Sequence, residues 1–253
     1  VLDLTVHSVG FSPVKGTRHL PLERLELDER GPVGDRSWCF VDVAARRVLR
    51  TVQHPSLIAV VAAATGGALE LTLPDGDRAG GVPELTGETL TCDYWGRPVG
   101  LALTDGPHSA LASRFLGHDV RLAAAPRGGV VFAAPVTVVG TASLRDLAEA
   151  VGRPVEAARL RATLVVETDE PYVEDTWLGA EVAVGDATLR IGATVPRCAV
   201  VDHHPETGVR DLRLLQALAR SRPTNAAGEP VLGVYAEVER PGTIAAAMPR
   251  NHA

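Results

Sequence analysis

The chain has few cysteines, and that scarcity excludes more than it permits. Three occur, Cys39, Cys92 and Cys198. Their odd number and wide, unpatterned spacing exclude a disulfide framework, and no Cys-x-x-Cys knuckle is present to hold a structural zinc. This usage fits a reducing compartment, and the cytoplasm is the expected location. No apolar run reaches the roughly 20 residues of a membrane span, so no membrane association is expected. The apolar run nearest a terminus lacks a basic leader and a cleavage site, so no signal peptide is expected. The Gly-x-Gly-x-x-Gly fingerprint, the P-loop and the Gly-x-Ser-x-Gly elbow are all missing. Nucleotide binding and α/β-hydrolase chemistry therefore have no support. The His-x-x-x-His pair of a helical zinc site is missing too. No unit of roughly 20–50 residues repeats.

What remains is the composition of a globular protein, 45% hydrophobic and 22% charged. A length of 253 residues fits one large domain or two interlocked small ones. The net charge of −6 argues against a nucleic-acid partner. Any anion site must be a local cluster of Arg and Lys on an acidic background.

The pattern is mostly β. Alternation in LDLTVHSVGFSPVKG predicts a strand that turns at Ser-Pro. LERLELDERG reads as a strand, a short helix, or one passing into the other. A hairpin is expected at 37–42 and 47–52, turning near Ala44–Arg46. LIAVVAAAT and ALELTLPDG form a second pair around Gly66-Gly67, and ETLTCDYWGRPVGLAL a third around Gly96. Helices are expected at 107–117, closed by Gly117, at 141–152, with Ser143 or Thr141 as N-cap, and at 211–221, with Asp211 favoured by the macrodipole. Strands resume in RLRATLVVET, EVAVGDATLRIGA, CAVVD and VLGVYAEVE. The small-residue-rich segment 118–135 looks like a crossover. Short strands with few helices argue for a barrel over a doubly wound sheet. The expected fold is mainly β. An N-terminal β domain spans 1–90, a joining segment 91–107, and a β-barrel domain with a few helices 108–250.

Cys198, in ATVPRCAVVDHHPETG, is open to three readings: metal ligand, reactive thiol or small core residue. A neighbouring cation lowers a thiol pKa, and Arg197 is adjacent. Adjacent strand residues point to opposite faces, so the benefit needs a turn, which Pro196 allows. Lys15, Arg36, Arg161 and Arg197 stand beside turns or strand ends and suit phosphate, Arg by its fork and Lys as a point charge. Spacing alone does not separate them from solvated surface. Asp202, His203 and His204 make a poor chelate, because adjacent histidines diverge, and read as an exposed turn. Cys39 and Cys92 are expected to pack on strands.

Taken in order, FSPVKGTRHLPLERLELDERGPVGDRSWCFVD, RVLRTVQHPSL, DYWGRPVGLALTDGPHSALASRFLGHDVRL, TASLRDL, RLRATLVVE, PYVEDTWLGAEVAVGDATLRI, VPRCAVVDHHPETG and VLGVYAEVERPGTI resemble the MOSC family. The family is named for the C-terminal domain of molybdenum-cofactor sulfurase, and the first half resembles its N-terminal β-barrel companion. Nearly the whole chain is covered. The family includes the mitochondrial amidoxime-reducing component and bacterial relatives that reduce N-hydroxylated compounds. The resemblance implies a molybdenum cofactor (Mo-molybdopterin). Cys198 matches its metal-ligating cysteine and Arg197 that cysteine's neighbour. Lys15 matches the lysine of the Pro-Val-Lys turn, and Arg36 the arginine of Asp-Arg-aromatic, with Ser37 intervening before Trp38. Arg161 matches the arginine of the family's Arg-Pro-Asn. Thr141 and Ser143 lie in the segment that meets the pterin, and Tyr235 matches a cofactor-side tyrosine.

The chain departs from the pattern in places. Arg161-Ala162-Thr163 stands for Arg-Pro-Asn, and Thr163 supplies one hydrogen bond where asparagine offers both amide functions. Gly16 follows Lys15 where the family also has serine, and PGTIAAAMP lacks the usual Gly-Asp. Three activities are compatible with the residues. One is a molybdoenzyme that reduces N-oxygenated small molecules and draws electrons from separate electron-transfer proteins. Another is a sulfur carrier or sulfurtransferase using a Cys198 persulfide. The third is a cofactor carrier or a divergent metal-free enzyme of a specialised biosynthetic pathway, with His203 or His204 assisting.

Overall fold

A computed structural model describes residues 2–246. The protein is mainly β, as expected. Its largest sheet has eight strands, in the order Leu2–Asp3, Glu181–Val184, Ala187–Pro196, Val231–Arg240, Val136–Gly140, Leu164–Val166, Val6–Phe11 and Leu20–Leu22. A closed barrel is formed by Glu84–Tyr94, Arg97–Asp105, Arg121–Ala124, Trp38–Asp42 and Arg47–Val48. The expected hairpins at 37–52, around Gly66-Gly67 and around Gly96 are all present. LERLELDERG resolves as the strand Arg24–Asp28.

Sequence order and sheet membership cross over. Val6–Phe11 pairs antiparallel with Leu164–Val166, so the chain's first long strand belongs to the same sheet as its last. Val6, Val9, Val138, Leu164, Leu189, Ile191 and Val234 pack that sheet's inner face. The segment 91–107, expected to join two domains, supplies most of a long hairpin of the barrel. Part of the crossover 118–135 is the barrel strand Arg121–Ala124, paired with Trp38–Asp42. Cys39 and Cys92 pack inside this barrel with Val41, Tyr94 and Leu101, as expected. Residues 247–250, the end of the expected C-terminal domain and of PGTIAAAMP, lie outside the described residues.

Three helices are described. Pro107–Leu116 (α1) starts on proline and stops at Gly117, whose left-handed backbone returns its N–H to Ser113. Thr141–Val151 (α2) has a different start from the one expected. Gly140 is the capping residue, and Ser143 sits inside the first turn. Buried Glu174 takes over the capping, accepting from the Gly140 N–H at 3.1 Å and the Ser143 hydroxyl at 2.8 Å. Thr168 Oγ1 accepts the Ala142 N–H. Capping came from distant chain, which local sequence does not reveal. Leu214–Ser221 (α3) is shorter than expected. Asp211 lies before it, held by Arg159, and Asp202 instead accepts the Leu215 N–H at 2.8 Å. CAVVD, read as a strand, is a 3-10 turn over Ala199–Asp202, because the strand ends at Pro196 and Cys198. Among the described residues no helix is long and apolar enough to cross a membrane.

Candidate functional site

A cavity of about 230 Å³ is lined by both halves of the sequence. Lys15, Arg36, Arg161, Arg197, Cys198 and Tyr235 all face it, although up to 220 positions separate them. Lys15 is set by the loop after Val6–Phe11. Its N–H donates to the Trp38 carbonyl at 2.7 Å, while the Trp38 N–H donates to Pro13. Arg36 hangs from the Ser12 carbonyl through its own N–H. Arg161 follows the turn Ala157–Leu160, and its Nη2 donates to the Ser12 hydroxyl at 2.7 Å.

Of the five non-glycine residues with positive φ among the described residues, three line this cavity: Arg36 at 46°, Trp95 at 55° and Arg161 at 50°. A left-handed backbone crowds Cβ and costs of order 1–3 kcal/mol per residue. Glycine would be the cheaper residue at each. The side chains are therefore kept against the local backbone preference.

Arg197 is buried, and its guanidinium is held by the fold. Nε donates to the Leu232 carbonyl and Nη1 to the Leu160 carbonyl, each at 2.8 Å. Nη2 is buried without a partner. Gly233 makes the space: a Cβ there would lie 2.7 Å from Val139 Cγ2 and 3.2 Å from Arg197 Nη2. The Tyr94 hydroxyl is a second buried polar group on the cavity wall without a partner. Buried polar groups are ordinarily satisfied, so two orphans on one cavity mark a place where a polar ligand belongs.

Charge is concentrated here. Lys15, Arg36, Arg50, Arg159, Arg161 and Arg197 line the cavity, with Glu229 as the lining carboxylate. Arg36 pairs with Asp35, and Arg159 with Glu156 and Asp211. Burial and the Arg36 and Arg161 charges pull the Lys15 pKa down to about 7. Burial and Arg36 bring Arg161 down to about 10, and burial brings Arg197 to about 10. Burial also lowers His19 to about 3, with Arg161 and Arg36 acting in the same sense. An anion bound here would relieve these cations.

Cys198 is the exposed cysteine of the three, and it follows the point where the strand Ala187–Pro196 ends. Arg197 is buried against the Leu160 and Leu232 carbonyls and Cys198 is exposed, and both line the cavity. The Cys39 and Cys92 thiols are pushed up by burial. Among the described residues no three His, Cys, Asp or Glu are grouped to hold a metal ion.

The MOSC domain model matches residues 87–248, and the model of the MOSC N-terminal beta barrel domain matches residues 3–108. The chain belongs to the MOSC family. It is 24% identical to human mitochondrial amidoxime-reducing component 1 over 95% of this chain and 80% of the human protein. It is 34% identical to the mouse protein of that name over 44% of this chain. That match spans about a third of the mouse protein's length, 34%. Among solved structures, the YUAD protein from Bacillus subtilis aligns with a TM-score of 0.44 and 11% identity, over 96% of this chain and 91% of that one.

Within this MOSC chain, three of the residues expected near a pterin stand back from the cavity wall. Thr141 bonds to Glu167 and Thr168, and Ser143 to Glu174. Thr163 pairs with Thr137, which does line the cavity: the Thr163 N–H donates to Thr137 Oγ1 at 2.9 Å. His203 and His204 bond within their own turn. Sequence reasoning missed Tyr94, Trp95, Arg50 and Phe132 on the wall. The dipeptide Trp95-Gly96 held a signal, since a bulky residue occupied a tight hairpin position that favours asparagine.

Proposed function

We propose that this MOSC chain binds a molybdenum–pterin cofactor and works as an oxidoreductase on N-oxygenated small molecules. One observation carries the reading: an exposed thiol opens onto a cavity that also holds Lys15, Arg36, Arg161 and Arg197 and two orphaned buried polar atoms. That donor set fits an anionic, multiply hydrogen-bonding group with a thiolate-seeking metal. Lys15, Arg36 and Arg161 would hold the phosphate, the two arginines through their forks. Arg197 Nη2 and the Tyr94 hydroxyl would satisfy polar atoms of the ring system. Cys198 would supply the thiolate. When bound, the cofactor supplies the redox chemistry that removes oxygen from an N–O group. The protein contributes binding, orientation and charge, and separate electron-transfer proteins would restore the reduced state.

The deciding experiment measures molybdenum and pterin by mass spectrometry on protein from a cofactor-competent host, beside Cys198→Ala. Near-stoichiometric molybdenum, lost in the variant, is expected. Absence of molybdenum from the wild-type protein refutes the reading. One observation favours a second reading, sulfur transfer: Cys198 is the accessible thiol that a persulfide carrier needs. A persulfide on Cys198 in the intact-mass spectrum, with no molybdenum, would establish it.

A further inference from the structure

Trp95 and Phe132 form a part of this site to which neither the resemblance nor the anion reading gives a role. Trp95 is the first loop residue of the hairpin closed by the Tyr94–Arg97 pair, and Gly96 follows it at φ 77°. Positive φ at both positions makes a type I′ turn, whose first position favours Asn, Asp or Gly. Tryptophan serves that turn badly, and 45% of it is exposed. Its indole meets Phe132, itself 47% exposed, edge-on, with ring centres 5.3 Å apart at 75°.

The pair is fixed in place. Arg97 Nη2 donates to the Val131 carbonyl at 2.5 Å and ties the hairpin to the segment bearing Phe132. Arg127 anchors the base of that segment on the Asp28 carboxylate and the Gly31 and Pro32 carbonyls. The Arg50 guanidinium lies 4.3 Å from the indole centre, and its Nε donates to Gln53. Trp95, Phe132 and Val52 line the same cavity as Cys198.

We propose that this aromatic rim binds the planar ring of the substrate, so that the site selects aromatic N-oxygenated compounds over aliphatic ones. The proposal rests on the N–O reading above and names its substrate class. Rings pack edge-to-face or offset against one another, and a preset pair offers a third ring both surfaces. Three apolar side chains fall far short of the roughly 800 Å² that each partner gives to a stable protein interface. A concave wall continuous with a small cavity suits a small molecule instead.

Benzohydroxamic and acetohydroxamic acid share an N–O head group and differ in ring against methyl. Calorimetric titration of the protein purified from a cofactor-competent host with each reads the selectivity. Benzohydroxamic acid is expected to bind about tenfold more tightly or better. Trp95→Asn, which restores the favoured Asn-Gly turn and so preserves folding, is expected to cut that ratio to about threefold or less by weakening benzohydroxamic acid. Phe132→Ala is expected to do the same. Equal affinities in the wild-type protein, no saturable binding of either probe, or a ratio that survives both substitutions would each overturn the proposal. Molybdenum and pterin content of the same samples separates the two readings. A loaded protein without ring preference sinks the rim alone. Ring preference in protein that takes up no molybdenum sinks the cofactor reading and with it the N–O substrate class, leaving only a rim that binds rings.

Discussion

Lys15 Nζ lies 5.1 Å from the centre of the Tyr94 ring, on a wall it shares with Arg36 and Arg161. It is the chain's only lysine. Its pKa near 7 makes it a free amine, and so a nucleophile, at a pH where ordinary lysines are protonated. Acetylation by an activated ester, read by peptide mass spectrometry, is expected to rise with a midpoint near pH 7. Inorganic phosphate should move that midpoint upward, because a bound anion favours the charged amine. A midpoint near the ordinary 10.5 without phosphate would contradict the assigned environment.

The same surroundings set a pH dependence of stability. His19 is lowered from 6.5 to about 3 in the folded protein, so below 6.5 the unfolded chain binds the extra proton. Stability must fall as pH drops from 6.5 toward 3. Lys15, lowered from 10.5 to about 7, has the same sign in a higher window. Between about 7 and 10.5 the unfolded chain holds a proton that the folded one lacks, and stability contributed by this group rises across that range. Urea midpoints from pH 4 to 6.5 test the first window. His19→Gln should flatten the curve there, and an unchanged slope would exclude His19 as its source.

Arg161 combines a left-handed backbone with two cationic neighbours, Arg36 and Lys15. Arg161→Gly should therefore leave stability intact or raise it by up to about 1 kcal/mol, since glycine accepts φ 50° and charge repulsion is relieved. The same change should weaken phosphate binding about tenfold by removing a charged fork. It should also move the Lys15 acetylation midpoint upward. A variant that unfolds, or that keeps full phosphate affinity, contradicts this account.

Gly233 tests whether the Arg197 guanidinium matters where it stands. Its φ of 76° disfavours any side chain, and an added Cβ would fall 2.7 Å from both the Val138 carbonyl oxygen and Val139 Cγ2. Gly233→Ala is expected to cost about 3 kcal/mol, from left-handed strain and overpacking together. Denaturant unfolding reads the loss. A cost below about 1 kcal/mol would mean that the strand Val231–Arg240 shifts to make room, and that Arg197 is not rigidly held.

The features legible in the sequence were those fixed by neighbours in sequence. Helix α1 followed from Leu111, Phe115 and the Gly117 stop, and the hairpins from their glycine turns. The starts of α2 and α3 were not legible, because Glu174, Thr168 and Asp202 reach them from elsewhere in the chain. Lys15, Arg36, Arg161, Arg197, Cys198 and Tyr235 were each visible as residues, yet spacing could not join them. The joining depends on Val6–Phe11 entering the C-terminal sheet and on loop 13–15 bonding to Trp38. Tyr94 drew no notice within its hairpin, because its unpartnered hydroxyl is a property of the packed barrel.

Cys198 differs from Cys39 and Cys92 in the one property that governs thiol reactivity, access. The two barrel cysteines are buried and their thiols pushed up, so they are protonated as well as shielded. A disulfide reagent should therefore find one fast thiol in the folded protein and all three after denaturation. Cys198→Ser should abolish the fast phase and change stability by less than about 0.5 kcal/mol, as expected for an exposed side chain outside the core. Two fast thiols in the native state would mean that the barrel opens on the reagent's timescale. No fast thiol at all would mean that Cys198 already carries a ligand or a modification, and the mass of the intact chain would then identify it.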